Sequence, residues 1–270
     1  MSLGDHGRTW KGRSTVVVAL GALAVLAIAA TAIGQTSTVR AGNLILTISA
    51  EVKPKVLPKD KLAPITLNVG GKIETVDKTI EEGHPPALKE VIVDTDKNGA
   101  VNAKGLAVCK ASAIESTDTK AAEAACPDSI IGTGTTNVQI KFPEQHAIPA
   151  DSKLVAFNGG VAGGTTTILI HAYLTVPTPA AIVTTVKITK EHKGRFGLHS
   201  VASVPTIAGG SGSVTSFTLS FHRLFTYKGK KQSYFEAKCA DGKFLAQAEA
   251  IFRNAEKIKG SIVVPCTSKG

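Results

Sequence analysis

The stretch "SFTLSFHRLFTY", Ser216 to Tyr227, decides the fold class. Phe217, Leu219, Phe221, Phe225 and Tyr227 fall on one face, interrupted by Arg223, while Thr218, Ser220, His222 and Thr226 fall mainly opposite. An extended chain points successive side chains to opposite sides, so this period of two predicts a half-buried antiparallel strand. Runs of similar character, rich in Val, Ile, Thr and Phe, recur along the chain, among them "NLILTISAEV", "TTTILIHAYLTV" and "AAIVTTVKIT". Gly, Pro, Asn and Asp separate them, as turns between strands require.

One segment differs. In "ESTDTKAAEAAC", residues 115–126, Ser and Thr suited to N-capping precede Ala-rich helix formers, and Pro127 ends the run; one short helix is expected there. "NGGVAGG", "TIAGGSGSV" and "KGRFG" read as loops, and "VKPKVLPKDKLAP" as an extended edge segment. With no fixed-period repeat and no long linker, residues 43–270 are expected to form one all-β domain, an antiparallel β-sandwich of jelly-roll type.

The first 32 residues stand apart. A short basic head, "MSLGDHGRTWKGR", precedes the apolar run "TVVVALGALAVLAIAATA". Residues 1–32 therefore read as a signal peptide or an N-terminal membrane anchor. Ala30-Thr31-Ala32 supplies the small-x-small pattern of a cleavage site, so cleavage near Ala32 is the expectation. Either version leaves the bulk of the chain outside the membrane, touching it only through this segment.

Losing that segment removes Arg8, Lys11, Arg13 and Asp5, so the formal charge falls from +10 to +8. A basic surface attracts anionic polymers in a salt-dependent way, which makes an anionic cell-wall polymer or another surface protein the expected partner. Only Arg40, Arg195, Arg223 and Arg253 remain as arginines. Nucleic-acid readers rely on arginine forks, so with export added, nucleic-acid binding is not expected.

Four cysteines in an exported chain read as two disulfides. "SYFEAKCADGKFLAQAEAIF" reads as a hairpin turning at Asp241-Gly242, and "GSIVVPC" then runs back toward Cys239. That pairs Cys239 with Cys266 and leaves Cys109 with Cys126. No CxxC occurs, so neither a redox catalyst nor a zinc ribbon is indicated.

The order "GHPPALKEVIVDTD", "GLAVC", "ACPDSIIGTG", "LVAFNGG", "IHAYLTVP", "GRFG", "GGSGSVTSFTLSF" and "KKQSYFEAKCADGKF", with a last Cys near the end, covers roughly residues 70–270. It resembles a group of uncharacterised exported β-sandwich-like proteins of high-GC Gram-positive bacteria. The resemblance implies export, a β fold and the same cysteine pairing. It implies no activity, cofactor or site residue.

Candidate chemistry is sparse. Asp94, Asp96, Asn98 and Gly99 match the first half of a calcium loop, but the twelfth position, where a bidentate Glu belongs, is Gly105. The expectation is a hairpin turn built on Asn98-Gly99, with Asp94, Asp96 and Asn98 as a weak calcium candidate and no other cofactor. His171 and Tyr173 share a strand face and His222 lies elsewhere, but no HxH or HExxH is present, so structural roles are expected. "GGSGSV" lacks the second Gly of a nucleophile elbow. Glu51, Glu90, Asp94, Glu236 and Glu249 lie on strand-like segments without an evident pair. The only Trp is Trp10, which leaves Tyr173, Tyr227 and Tyr234 as platforms for a small sugar. The reading that follows is a non-enzymatic cell-surface structural or binding protein. The alternative is an exported hydrolase acting on wall or extracellular polysaccharide.

Overall fold

A computed structural model describes residues 34–270; the signal or anchor segment at 1–32 lies outside the described residues. In chain order the strands are β1 (Gln35–Ala41), β2 (Leu44–Lys53), β3 (Val56–Pro58), β4 (Ala63–Pro64), β5 (Thr66–Thr75), β6 (Leu88–Asp96) and β7 (Gly99–Val101). Then come the helix α1 (Thr119–Ala125), β8 (Ile130–Ile140), β9 (Ile148–Ala162), β10 (Thr165–Leu174), β11 (Ala180–Lys193) and β12 (Phe196–Ser203). The chain ends with β13 (Gly212–Phe221), β14 (Leu224–Tyr227), β15 (Lys230–Ser233), β16 (Phe235–Ala237), β17 (Lys243–Phe252), β18 (Lys257–Pro265) and β19 (Thr267–Lys269). Among the described residues no helix is long and apolar enough to cross a membrane.

Twelve strands share one continuous antiparallel sheet, in the order β1-β2-β5-β13-β8-β9-β10-β11-β12-β6-β17-β18. β8 to β12 form an up-and-down meander, while β13 returns to fit between β5 and β8, and β17 lies beside β6. So many twisted strands cannot stay flat, and open sheets of about ten strands tend to curl. Here the two ends meet. A Cβ placed on Gly260 of β18 would lie 3.0 Å from Ile48 Cδ1 and 3.1 Å from Val39 Cγ2, so β18 packs against β2 and β1. Leu44, Leu46 and Ile73 from one end share a buried cluster with Ala250, Phe252 and Ile258 from the other. Side chains close this seam, since no strand hydrogen bonds join β1 to β18.

The opening stretch is two strands. β13 carries Phe217, Leu219 and Phe221 inward, then the ladder breaks at His222-Arg223, and β14 pairs instead with β15 across a tight turn with positive φ at Lys228 and Gly229. The alternation continues through the break, so periodicity alone does not mark it. The Asp241-Gly242 turn also departs from expectation. β16 joins β4 and β7 in a small sheet while β17 joins β6 and β18, so the turn passes the chain between sheets and makes no hairpin. β18 still runs back beside β17, which delivers Cys266 to Cys239 as the spacing requires.

The second disulfide joins Cys109 to Cys126. Two disulfides fit a protein stabilised for an oxidising compartment outside the cytoplasm. The Cys109–Cys126 bridge pins the segment that carries α1, whose N-cap is Asp118 and not one of the expected hydroxyl residues: its carboxylate accepts from Ala121 N at 2.8 Å. Ile114 and Ala122 from this segment bury Val155, Phe157 and Leu169 on the outer face of β9 and β10. Several strands escaped the sequence reading, among them β1, which is mostly polar and exposed, and β12, whose first residues fall in what reads as a loop.

Candidate functional site

The inner face of the sheet does not close on itself. An interior cavity of about 400 Å³ is lined by side chains from β2, β5, β6 and β8 to β13, with β17 and β18 completing the wall. The lining follows the strand alternation: Val91, Val93 and Thr95 of β6 face it, as do Leu198, Ser200 and Ala202 of β12. What keeps it open is side-chain size. β17 presents Ala246, Ala248 and Ala250 to the interior, whereas on β5 the Phe217 ring covers Gly71. Leucine or isoleucine at the three alanines would occupy space that alanine leaves free, and native interiors normally hold few voids larger than a water molecule.

The wall is almost wholly apolar. The small sheet of β4, β16 and β7 lies against the cavity through Ala100, Val101, Phe235 and Glu236. Phe221 and Tyr234 hold the Phe235 ring by edge-on contacts, with centroids 5.0 Å and 5.2 Å away. Glu236, which borders the cavity between Phe235 and Ala237, makes no hydrogen bond or ion pair among the described residues. Thr95, Thr136, Thr184 and Ser200 are among the scattered hydroxyls of the wall. An apolar space with a few polar points is the usual composition of a small-molecule site, and its volume lies within the range of about 300–1,000 Å³ for such sites.

Other residues singled out by sequence have structural duties. Asp96 is 3% exposed and its Oδ2 accepts from Arg195 Nε at 2.7 Å and from Leu245 N at 3.1 Å, while its Oδ1 accepts from Asn98 N at 3.0 Å. Arg195 also grips Asp241 through Nη1 at 2.5 Å and Nη2 at 3.2 Å. That pairing holds the Asp241 carboxyl below its ordinary range and raises the guanidinium. Asp96 thus pins the turn after β11 to the start of β17. The expected Asn98-Gly99 hairpin does not form: neither residue takes positive φ, and β7 leaves β6 to pair with β16. Asp94 points to the outer face, where His199 Nδ1 lies 2.7 Å from its Oδ1.

The other candidates separate. Glu51 pairs with Lys53 at 2.9 Å and accepts from Asn68 Nδ2 at 2.9 Å, and the Lys53 contact leads in lowering its pKa. Glu249 lies near Lys257 and Lys259 on the outer face. Tyr234 is 1% exposed, so it cannot stack a sugar, and burial drives its phenol upward. Tyr227 lies under Lys228, 5.6 Å from its ring centroid. His171 is fully buried; its Nε2 lies 2.9 Å from Thr117 O, its Nδ1 has no partner, and desolvation lowers its pKa. His222 is exposed and bonds Ser220 O. Sequence reasoning missed the cavity itself. The available signal was "FLAQAEAIF", where the face set by alternation carries only alanine between Phe244 and Phe252.

The chain matches no protein-family model, no curated protein and no solved structure.

Proposed function

We propose that this chain is an exported, non-enzymatic binding protein that holds an apolar ligand, such as an acyl chain, inside its curled, sandwich-like β shell. The single observation that carries the reading is the 400 Å³ cavity with its nearly unbroken apolar wall. Apolar cavities stay dry and take up apolar molecules, because water there would lack hydrogen-bond partners while an aliphatic ligand regains dispersion contacts. The wall hydroxyls would receive the polar end. Export supports the reading by placing the protein beside membranes and envelope, where free lipids need shielding from water. An anionic wall polymer or another surface protein remains a second contact for the basic exterior, with residues 1–32 setting retention or release.

The test is titration of the oxidised protein with a dansyl-labelled fatty acid, followed by emission. Saturable, blue-shifted enhancement at one probe per chain is expected, and Ala248→Leu should weaken it by roughly tenfold or more by occupying the space the ligand needs, since one buried aliphatic side chain carries about 2 kcal/mol. No saturable binding by folded protein, or equal binding by the Ala248→Leu variant, would refute the proposal.

A further inference from the structure

The outer face of the sheet, away from the cavity, carries a second cluster. Asp94 on β6, Glu191 on β11 and His199 on β12 each offer a ligand atom, and these atoms all lie within 4.8 Å of one another. The topology explains the convergence. β12 lies between β6 and β11, and His199 faces Asp94 across one ladder and Thr189 across the other. Glu191 lies two residues past Thr189, where the register shifts between Lys190 and Lys193. Such a bulge re-aims a side chain, here bringing Glu191 toward its two neighbours. Val93, Thr95, Leu198 and Ser200 line the cavity, so the alternating partners Asp94 and His199 belong to the opposite face.

The electrostatics of this cluster are unfinished. Two carboxylates converge on one imidazole, and no lysine or arginine forms an ion pair with either among the described residues. Glu191 Oε1 is buried and has no hydrogen-bond partner among the described residues. A buried carboxylate oxygen without a donor is costly, and a second carboxylate beside it adds repulsion. A divalent cation answers both.

We propose that Asp94, Glu191 and His199 form a three-ligand site for a first-row divalent transition metal, with zinc as the type ion. One imidazole and two carboxylates suit zinc, whereas calcium seeks six to eight oxygens. Three protein ligands leave a fourth position for water or for a donor atom of another molecule. His199 Nδ1 lies 2.7 Å from Asp94 Oδ1, within hydrogen-bonding distance. With the cation on Nδ1 the neutral imidazole carries its hydrogen on Nε2, and the two atoms part to about 3.3 Å, as metal–ligand bonds of about 2.0–2.1 Å at a tetrahedral angle require. The site stands on the outside of the sheet, so it is independent of the cavity and of its ligand.

Isothermal titration of the full oxidised chain with zinc alone tests this. One saturable zinc per chain is expected, with affinity reduced at least roughly tenfold in His199→Ala and again in Glu191→Gln. Glu249→Gln, which alters another outer-face acid on β17, should bind as the parent does. Circular dichroism should show each variant folded, since all three substitutions face outward. The proposal is overturned by no saturable zinc binding, by parental affinity in His199→Ala and Glu191→Gln, or by calcium binding at the same residues in preference to zinc.

Discussion

β9 and β10 bury both of their faces, and they do so in opposite ways. On the outer face Val155, Phe157 and Leu169 are sealed beneath Ile114 and Ala122, with no space left, by a segment that Cys109–Cys126 holds down. On the inner face, Leu154, Ile168, Ile170 and Ala172 look into the cavity. The same strands, built from the same residue types, therefore support a solid layer and a hollow one. The hollow is not a failure to find large side chains, because the chain uses them a few ångströms away. It is set by the three alanines on the strand that faces it.

Matched phenylalanines should break this contrast most visibly. Phe157 is fully buried in the solid layer, whereas Phe217 borders the cavity and lies across Gly71. Phe157→Ala is expected to cost about 3–5 kcal/mol, the usual range for an unrelieved core cavity, and Phe217→Ala roughly half of that. Phe217 already has void on one side, so its removal forfeits fewer contacts. Urea unfolding of both variants gives the comparison, and equal losses would mean that the two faces are packed alike.

The disulfide comes next. Replacing both Cys109 and Cys126 with Ala should remove about 3 kcal/mol, the restriction in unfolded-chain entropy expected for a loop of this size. The loss should fall on the solid layer, seen as faster amide exchange around Ile114 and Ala122. Binding of the dansyl probe by protein that remains folded should be unchanged, because none of the covering segment lines the cavity.

Acid should act on the same layer through His171. Its buried imidazole has a lowered pKa, so between that value and the unfolded value of about 6.5 the unfolded chain binds one more proton than the native one. The contribution is intact above about pH 6.5 and is lost as pH falls, with a slope of about 1.4 kcal/mol per unit. Thermal melts of the parent and of His171→Gln across this window separate the effect, since the variant should lack that part of the slope. A common slope for the two would assign the acid sensitivity elsewhere.

The solid layer was partly legible in the sequence and the hollow one was not. The cysteine spacing, the Ala-rich helix and the period-two strands are local signals, each decided by neighbours in the chain. The break at His222-Arg223 and the sheet change at Asp241-Gly242 are decided by which distant strand is the partner, and alternation looks the same in both outcomes. Likewise Asp94 was legible as the start of a loop motif and as one of several strand carboxylates without a partner. Its true neighbours, Glu191 and His199, lie about a hundred residues away and meet it through the order of β6, β12 and β11. Whether Ala246, Ala248 and Ala250 fill or empty an interior depends on what stands opposite them, which requires the curl of the whole sheet.

The smallest effect expected is also the sharpest in sign. Alanine to leucine adds the same volume at Ala122 in the solid layer and at Ala248 facing the hollow one. At Ala122 it must displace Ile114 or Phe157, and overpacking of that kind costs about 1–3 kcal/mol. At Ala248 the added methyl groups enter free space and gain contacts, so stability should hold or rise by up to about 1 kcal/mol. Denaturation midpoints of the two variants, taken without ligand, check the prediction. Opposite signs would show that the void tolerates filling and that its alanines are kept for what they admit. A loss at Ala248 like that at Ala122 would mean the interior has no room, and the apolar-ligand reading would go with it.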